Sequence, residues 1–141
     1  MVCLYCGGDT AVTNSRAVGG KYGVWRRRRC KACGAVFTTN EYIQLFSALR
    51  VVKNGSLVPF AQEKLYMSIY EALSASEQSI EQARDLQFSV ITKLLKKRGG
   101  PTIKSEYIAE VTARTLKRFN RLAYLKYAAN HPSLHDQLKF K

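Results

Sequence analysis

No apolar run in this 141-residue chain is long enough to span a bilayer, and no lipid-anchor or amphipathic membrane pattern stands out. No secretory signal stretch is recognisable, and no cysteine occurs after residue 33. Only ten acidic residues stand against 23 Lys and Arg. The chain carries no Gly-x-x-x-x-Gly-Lys phosphate loop, no paired carboxylates and no nucleophile–base pair, so nothing recommends an enzyme. Internal repeats and low-complexity tracts are also missing. The two histidines, His131 and His135, follow the last cysteine by about a hundred residues and read as surface or packing residues near the C-terminus.

What is present is concentrated at the start. Cys3/Cys6 and Cys30/Cys33 form two Cys-x-x-Cys pairs, and Arg26, Arg27, Arg28 and Arg29 run straight into the second. A two-residue spacer lets both sulfurs of a pair point at one ion, and four thiolates close a tetrahedron with no open position for water. Gly7, Gly8 and Gly34 follow the knuckles, where the chain must turn sharply. Disulfides and buried free thiols are the competing explanations. In a chain with no export signal, read as residing in a reducing cytosol, this spacing favours one structural zinc.

The formal charge is +13, and it is shared. Residues 1–40 hold seven Lys and Arg against one acid, and the remainder sixteen against nine. A polyanionic partner is expected, with nucleic acid as the default and simple solubility as the plain alternative. The first forty residues carry few large apolar side chains, so their folding must draw on metal. Most of the Leu, Ile, Val, Phe and Tyr falls in residues 46–130, enough for an independent core.

The fold class expected is α+β. Residues 10–16, 24–30 and 35–39 read as short strands, with turn material at 19–23, which makes an antiparallel zinc ribbon. Alternation along the second strand sends Arg26 and Arg28 one way and Arg27 and Arg29 the other. One pair would grip phosphates while the other reaches base edges or packs its stem against Trp25 and Phe37. The apolar segment 46–53, the Asn54-Gly55 turn and residues 57–60 predict a β-hairpin that opens the second domain. Four helices follow: from about Glu63, from Ser79 with Gln82 in capping-box register to the stop at Gly99-Gly100-Pro101, from about Ser105, and from about Asn120 to Pro132. Tyr124 and Tyr127 are taken as core. Lys96-Lys97-Arg98 is read as a solvated helix end, with Lys117, Arg118 and Arg121 as surface or oligomer contacts. The predicted domains are residues 1–45, 46–132 and a short frayed tail, 133–141.

In order and spacing, several fragments together resemble one known family. In the first part these are Cys3-Leu4-Tyr5-Cys6, Asn14-Ser15-Arg16, the four arginines, Cys30-Lys31-Ala32-Cys33-Gly34 and Phe37-Thr38-Thr39-Asn40-Glu41. In the second they are Val51-Val52-Lys53, Pro59-Phe60, Glu63-Lys64-Leu65 and Leu122-Ala123-Tyr124-Leu125-Lys126-Tyr127-Ala128. Over nearly its whole length the chain is similar to the bacterial NrdR-type repressors of ribonucleotide reductase genes, which join a zinc ribbon to an ATP-cone. Departures lie at Lys53-Asn54-Gly55, where that family usually has Lys-Arg and a longer loop ending Glu-Pro-Phe, at Asn130-His131, and at Asn14, which replaces an aspartate.

The resemblance implies a bacterial cytosolic, nucleoid-associated repressor that binds double-stranded DNA, in which ATP or dATP changes a homo-oligomer. It implies zinc on Cys3, Cys6, Cys30 and Cys33, and DNA contacts from Arg16, Arg26, Arg27, Arg28 and Arg29. It also implies a nucleotide site lined by Val52, Lys53, Phe60, Lys64, Ser105 and Ile108. The alternative is a basic zinc-ribbon module that binds RNA or the transcription machinery, with a cone that has lost its nucleotide.

Overall fold

A computed structural model describes residues 1–18, 22–74, 77–96 and 99–138, the side chains of 136–138 excepted. Most of the predicted turn at 19–23, together with Lys97, Arg98 and residues 139–141, lies outside the described residues. The chain divides into two compact units, Met1–Ile43 and Gln44–Lys141.

The first unit is one antiparallel sheet of three strands, β1 (Thr10–Val18), β2 (Gly23–Cys30) and β3 (Val36–Tyr42), in the order β1-β2-β3. Two knuckles flank it. In the first, the Gly7 N–H donates to the Cys3 carbonyl at 3.0 Å and the Cys3 N–H to the Gly8 carbonyl at 2.8 Å. Lys31 N–H donates to the Asp9 carbonyl at 2.9 Å, which ties the second knuckle to the first. Gly7 (φ 71°) and Gly34 (φ 73°) occupy the left-handed region in which a Cβ is strained, so both turns favour glycine. Among the described residues of this unit, Cys3 and Cys30 alone bury a side chain. A sheet with both faces in water and almost no core cannot pay its ordering entropy from apolar burial.

The second unit begins with a short helix, α1 (Leu45–Ala48), followed by β4 (Arg50–Lys53) and β5 (Ser56–Pro59). The predicted first arm of the hairpin is thus corrected: residues 46–48 are helical. Leu45 and Leu49 are both buried, four residues apart, and the Ser47 and Ala48 N–H groups close on the Gln44 carbonyl. The Asn54-Gly55 turn has positive φ at both residues (48° and 77°), as a two-residue hairpin loop requires.

Helices α2 (Gln62–Ala72), α3 (Glu77–Lys96), α4 (Ser105–Phe119) and α5 (Arg121–Ala129) complete the unit, with a 3-10 segment over Pro132–Leu138. Leu65, Ile69, Val90, Leu94, Leu116, Ala128 and Leu134 join Phe60 and Val51 in one core. Tyr124 and Tyr127 are core residues, 7% and 3% exposed. Burial pushes the Tyr127 phenol above its usual range against the opposing pull of Thr112 and Ser68.

Several details depart from the pattern-based expectation. Ser79 does not cap α3: it lies inside the helix, 1% exposed, with its hydroxyl donating to the Leu73 carbonyl at 3.0 Å. The cap at Asn120 is real, since its side-chain oxygen accepts the Ala123 N–H at 3.0 Å. Phe119 and Leu122, which flank that cap, are 50% and 60% exposed. Pro132–Leu138 is not a frayed tail, for Leu134 is 1% exposed within the core. Finally, a strand was missed. β6 (Thr102–Lys104) runs parallel to β4, giving a second sheet in the order β5-β4-β6.

Candidate functional site

The four sulfurs of Cys3, Cys6, Cys30 and Cys33 lie within 4.8 Å of one another. Sγ–Sγ separations are 3.7 Å for Cys3–Cys33 and 3.5 Å for Cys6–Cys30. Four sulfurs at about 2.3 Å from a tetrahedral zinc stand about 3.8 Å apart, so the donor set fits that ion. Backbone amides orient the sulfurs: Tyr5 N–H points at Cys3 Sγ (3.4 Å) and Cys33 N–H at Cys30 Sγ (3.5 Å).

The Cys33 amide favours the Cys30 thiolate and brings that thiol down to about 6. Cys33 itself, although the Ala35 N–H favours its thiolate, is pushed up to about 12 by the sulfurs of Cys6 and Cys30. Four touching sulfurs cannot all ionise by themselves; a divalent cation removes that conflict and holds every one as thiolate. The cluster is therefore a site for one structural zinc with no free coordination position.

The ribbon's two faces are unlike. On one, Arg26 donates to Glu41 Oε2 (3.3 Å) and Ser15 Oγ (3.4 Å), while Arg28 donates to Thr39 Oγ1 (3.3 Å) and Thr10 Oγ1 (3.4 Å). Both arginines are half-buried and spend their donors within the sheet. On the other face Arg27 and Arg29 are exposed. Arg16 joins them, its guanidinium 4.5 Å from the centre of the Trp25 ring, and Asn14, Thr38 and Asn40 stand in the same rows. Among the described residues of the three strands, this open face holds three cations and no acid.

In the second unit the predicted nucleotide residues separate into groups. Val52 and Lys53 end β4, and Val52 is paired with Lys104 of β6, so Lys53 and Lys104 reach the same carboxyl end of two parallel strands. Ser105 starts α4 there, and Ile108 follows it by one turn. Phe60 is only 2% exposed, with its N–H donating to the Leu49 carbonyl at 3.0 Å, so it is a core residue. Lys64 is exposed on α2, and no described hydrogen bond or ion pair joins it to Lys53 or Ser105.

Lys104 is a residue that pattern alone did not single out. It is the N-cap of α4 and makes no side-chain cap bond, and of the first-turn amides that of Glu106 is taken by its own carboxylate. The carboxyl ends of parallel strands beside a helix start are where open α/β sheets hold ligands, and such amides suit phosphate. Glu106 sits at the same turn. Its own backbone N–H, then the Ser105 hydroxyl at 3.0 Å, hold its carboxyl below the usual range.

Comparison with known proteins agrees with this division. Residues 1–41 match the family described as "Transcriptional repressor NrdR-like, N-terminal domain", and residues 49–137 match the "ATP cone domain". A "Transcriptional repressor NrdR" of Methylobacterium nodulans is 37% identical over 143 residues, covering all of this chain and 73% of the relative. That of Cupriavidus metallidurans is 37% identical over 142 residues, covering 100% and 91%, and that of Maricaulis maris 35% over 143, covering 100% and 88%. Relatives of this name are regulators rather than enzymes. No described helix is long and apolar enough to cross a membrane. With both units matched in order and relatives aligned end to end, the chain belongs to the NrdR family of transcriptional repressors, built of a zinc ribbon and an ATP-cone.

Proposed function

We propose that this protein represses transcription by gripping duplex DNA, at ribonucleotide reductase promoters of a bacterial cytosol, through the open face of its ribbon, and that ATP or dATP in the cone sets how many copies assemble. The observation that carries the DNA role is the segregation of the arginines. Arg16, Arg27 and Arg29 are held outward without an acid beside them, while Arg26 and Arg28 are bound within the sheet. Zinc on Cys3, Cys6, Cys30 and Cys33 supplies the rigidity that fixes those guanidinium groups in place. Arg16, Arg27 and Arg29 are the primary contacts, and Arg26 and Arg28 set the strands that present them.

In the cone, Lys53 and Lys104 offer two cations to a nucleotide's phosphates, with the first amides of α4 and the Ser105 hydroxyl as further donors. Val52 and Ile108 supply apolar contact, Phe60 supports them from the core, and Lys64 approaches from α2. A phosphate at this point displaces the Glu106 carboxylate from Ser105, which gives the ligand a local conformational consequence.

A ribbon of about forty residues buries too little surface for both affinity and selectivity. Two ribbons joined through their cones engage one duplex at raised effective concentration, which makes the homo-oligomer the point of control. The test is a mobility-shift titration of ribonucleotide reductase promoter duplex against scrambled duplex, with ATP and dATP compared and oligomer mass measured in parallel. Promoter preference that changes with the nucleotide is expected. Equal binding to both duplexes, or tighter binding to RNA with no nucleotide effect, would contradict the proposal.

A further inference from the structure

Strand β1 contains one residue too many. Its pairing with β2 passes from Val12 opposite Arg28 to Asn14 opposite Arg27, leaving Thr13 as a bulge. The Thr13 hydroxyl donates to the Arg27 carbonyl at 3.2 Å, which anchors the extra residue. Side chains alternate between faces, so one inserted residue exchanges the faces of everything beyond it. Val12 shares the face of Arg28, and without the bulge Asn14 and Arg16 would follow it there. With the bulge they stand opposite Arg27 and Trp25, and the stacking of Arg16 over Trp25 records that exchange.

The open face is therefore assembled by the bulge, and it has a centre. Arg27 lies between Asn14 on β1 and Thr38 on β3. The row of Arg16 and Trp25 is two residues to one side, and Arg29 two to the other. Four residues of strand separate the outer rows by about 13 Å at ~3.3 Å per residue. The major groove of B-DNA is about 12 Å wide and admits a two-stranded ribbon. With the strands laid across that groove, outer arginines at this spacing would meet the phosphate walls and the central row would fall over base edges.

Asn14 is exposed, and its Oδ1 is already occupied, accepting the Ser15 N–H at 2.7 Å. Its Nδ2 makes no described hydrogen bond and brings two donors to a partner. Uncharged and a donor, that nitrogen adds little to phosphate attraction but discriminates base edges, donating to N7, O6 or O4 and finding no acceptor in an exocyclic amine. We propose that Asn14, aimed by the Thr13 bulge, is a specificity-determining residue of the ribbon, donating to an acceptor on the base edge beside the one contacted by Arg27. This rests on the DNA role proposed for the open face.

The experiment selects preferred duplexes from a randomised pool with the zinc-loaded full chain, for wild type, Asn14→Ala and Asn14→Asp. Asn14→Asp keeps an oxygen for the Ser15 N–H while removing the donor, so it separates base reading from support of the bulge. Both variants are expected to lose preference at one and the same base pair, by about 2- to 10-fold, with the other positions retained. Loss in Asn14→Ala with full retention in Asn14→Asp would overturn the proposal by reducing Asn14 to a structural role, and full retention in both would overturn it outright. If the wild type selects no sequence at all, the DNA role of the open face fails and the assignment of Asn14 falls with it.

Discussion

In the ribbon only Cys3 and Cys30 bury a side chain among the described residues, whereas the cone packs one core that runs from Leu45 to Leu134. The two units are thus held by different chemistry, and each carries its functional groups accordingly. The ribbon buries almost none of its side chains, which leaves groups such as Arg27 and Arg29 exposed to meet a partner, provided four sulfurs on one ion hold the knuckles. The cone packs its apolar side chains into one core, and the ligand site proposed for it lies chiefly at the ends of strands and the start of a helix. Removing metal therefore acts on one unit and opening a cavity acts on the other.

The largest effect that would sharpen this contrast is loss of zinc. Chelation, or Cys30→Ser, is expected to unfold the ribbon completely while the helices persist. Trp25, the only tryptophan, lies in β2 and reports the ribbon alone, so its fluorescence should change fully as the far-ultraviolet helix signal stays. Loss of both signals together would break the comparison. The reverse experiment is Phe60→Ala, which removes a 2% exposed ring and should cost the cone about 3–5 kcal/mol, measured by denaturant unfolding of the helix signal. Zinc content and Trp25 emission should be unchanged.

Next in size comes the ligand site. Replacing Lys53 and Lys104 with alanine should weaken nucleotide binding by about 10-fold or more per residue, read by calorimetry, with no loss of helix. The smallest effect belongs to the ion pair of Arg26 with Glu41. Glu41→Gln should cost about 0–1 kcal/mol, because that carboxylate is 69% exposed and solvent screens the pair.

The same contrast explains what was legible in sequence. The metal site could be read because ligand spacing is local: two residues separate each pair of cysteines, and their chemistry admits few other arrangements. The alternation of the four arginines was equally readable from strand period. Which pair is free was not, since it depends on Glu41, Ser15, Thr39 and Thr10 arriving on one face through pairing across strands and a bulge. In the cone, helices with strong apolar period were visible. β6 was not, as three residues show no period and its partner β4 lies about fifty residues earlier. Lys104 escaped notice for that reason. Ser79 looked like a cap because its neighbours fit the pattern, but its burial and its bond to Leu73 come from tertiary packing.

The most direct test of the central claim is the salt dependence of duplex binding by the full chain, compared between the double variants Arg16→Gln/Arg29→Gln and Arg26→Gln/Arg28→Gln. Each lost phosphate contact lowers the slope of log K against log salt by about 0.9. The open-face pair should therefore flatten that slope by about 1.8 per ribbon, and the tethered pair should leave it near the wild-type value. Equal flattening by both pairs, or flattening by Arg26 and Arg28 alone, would contradict the assignment of the DNA-binding face.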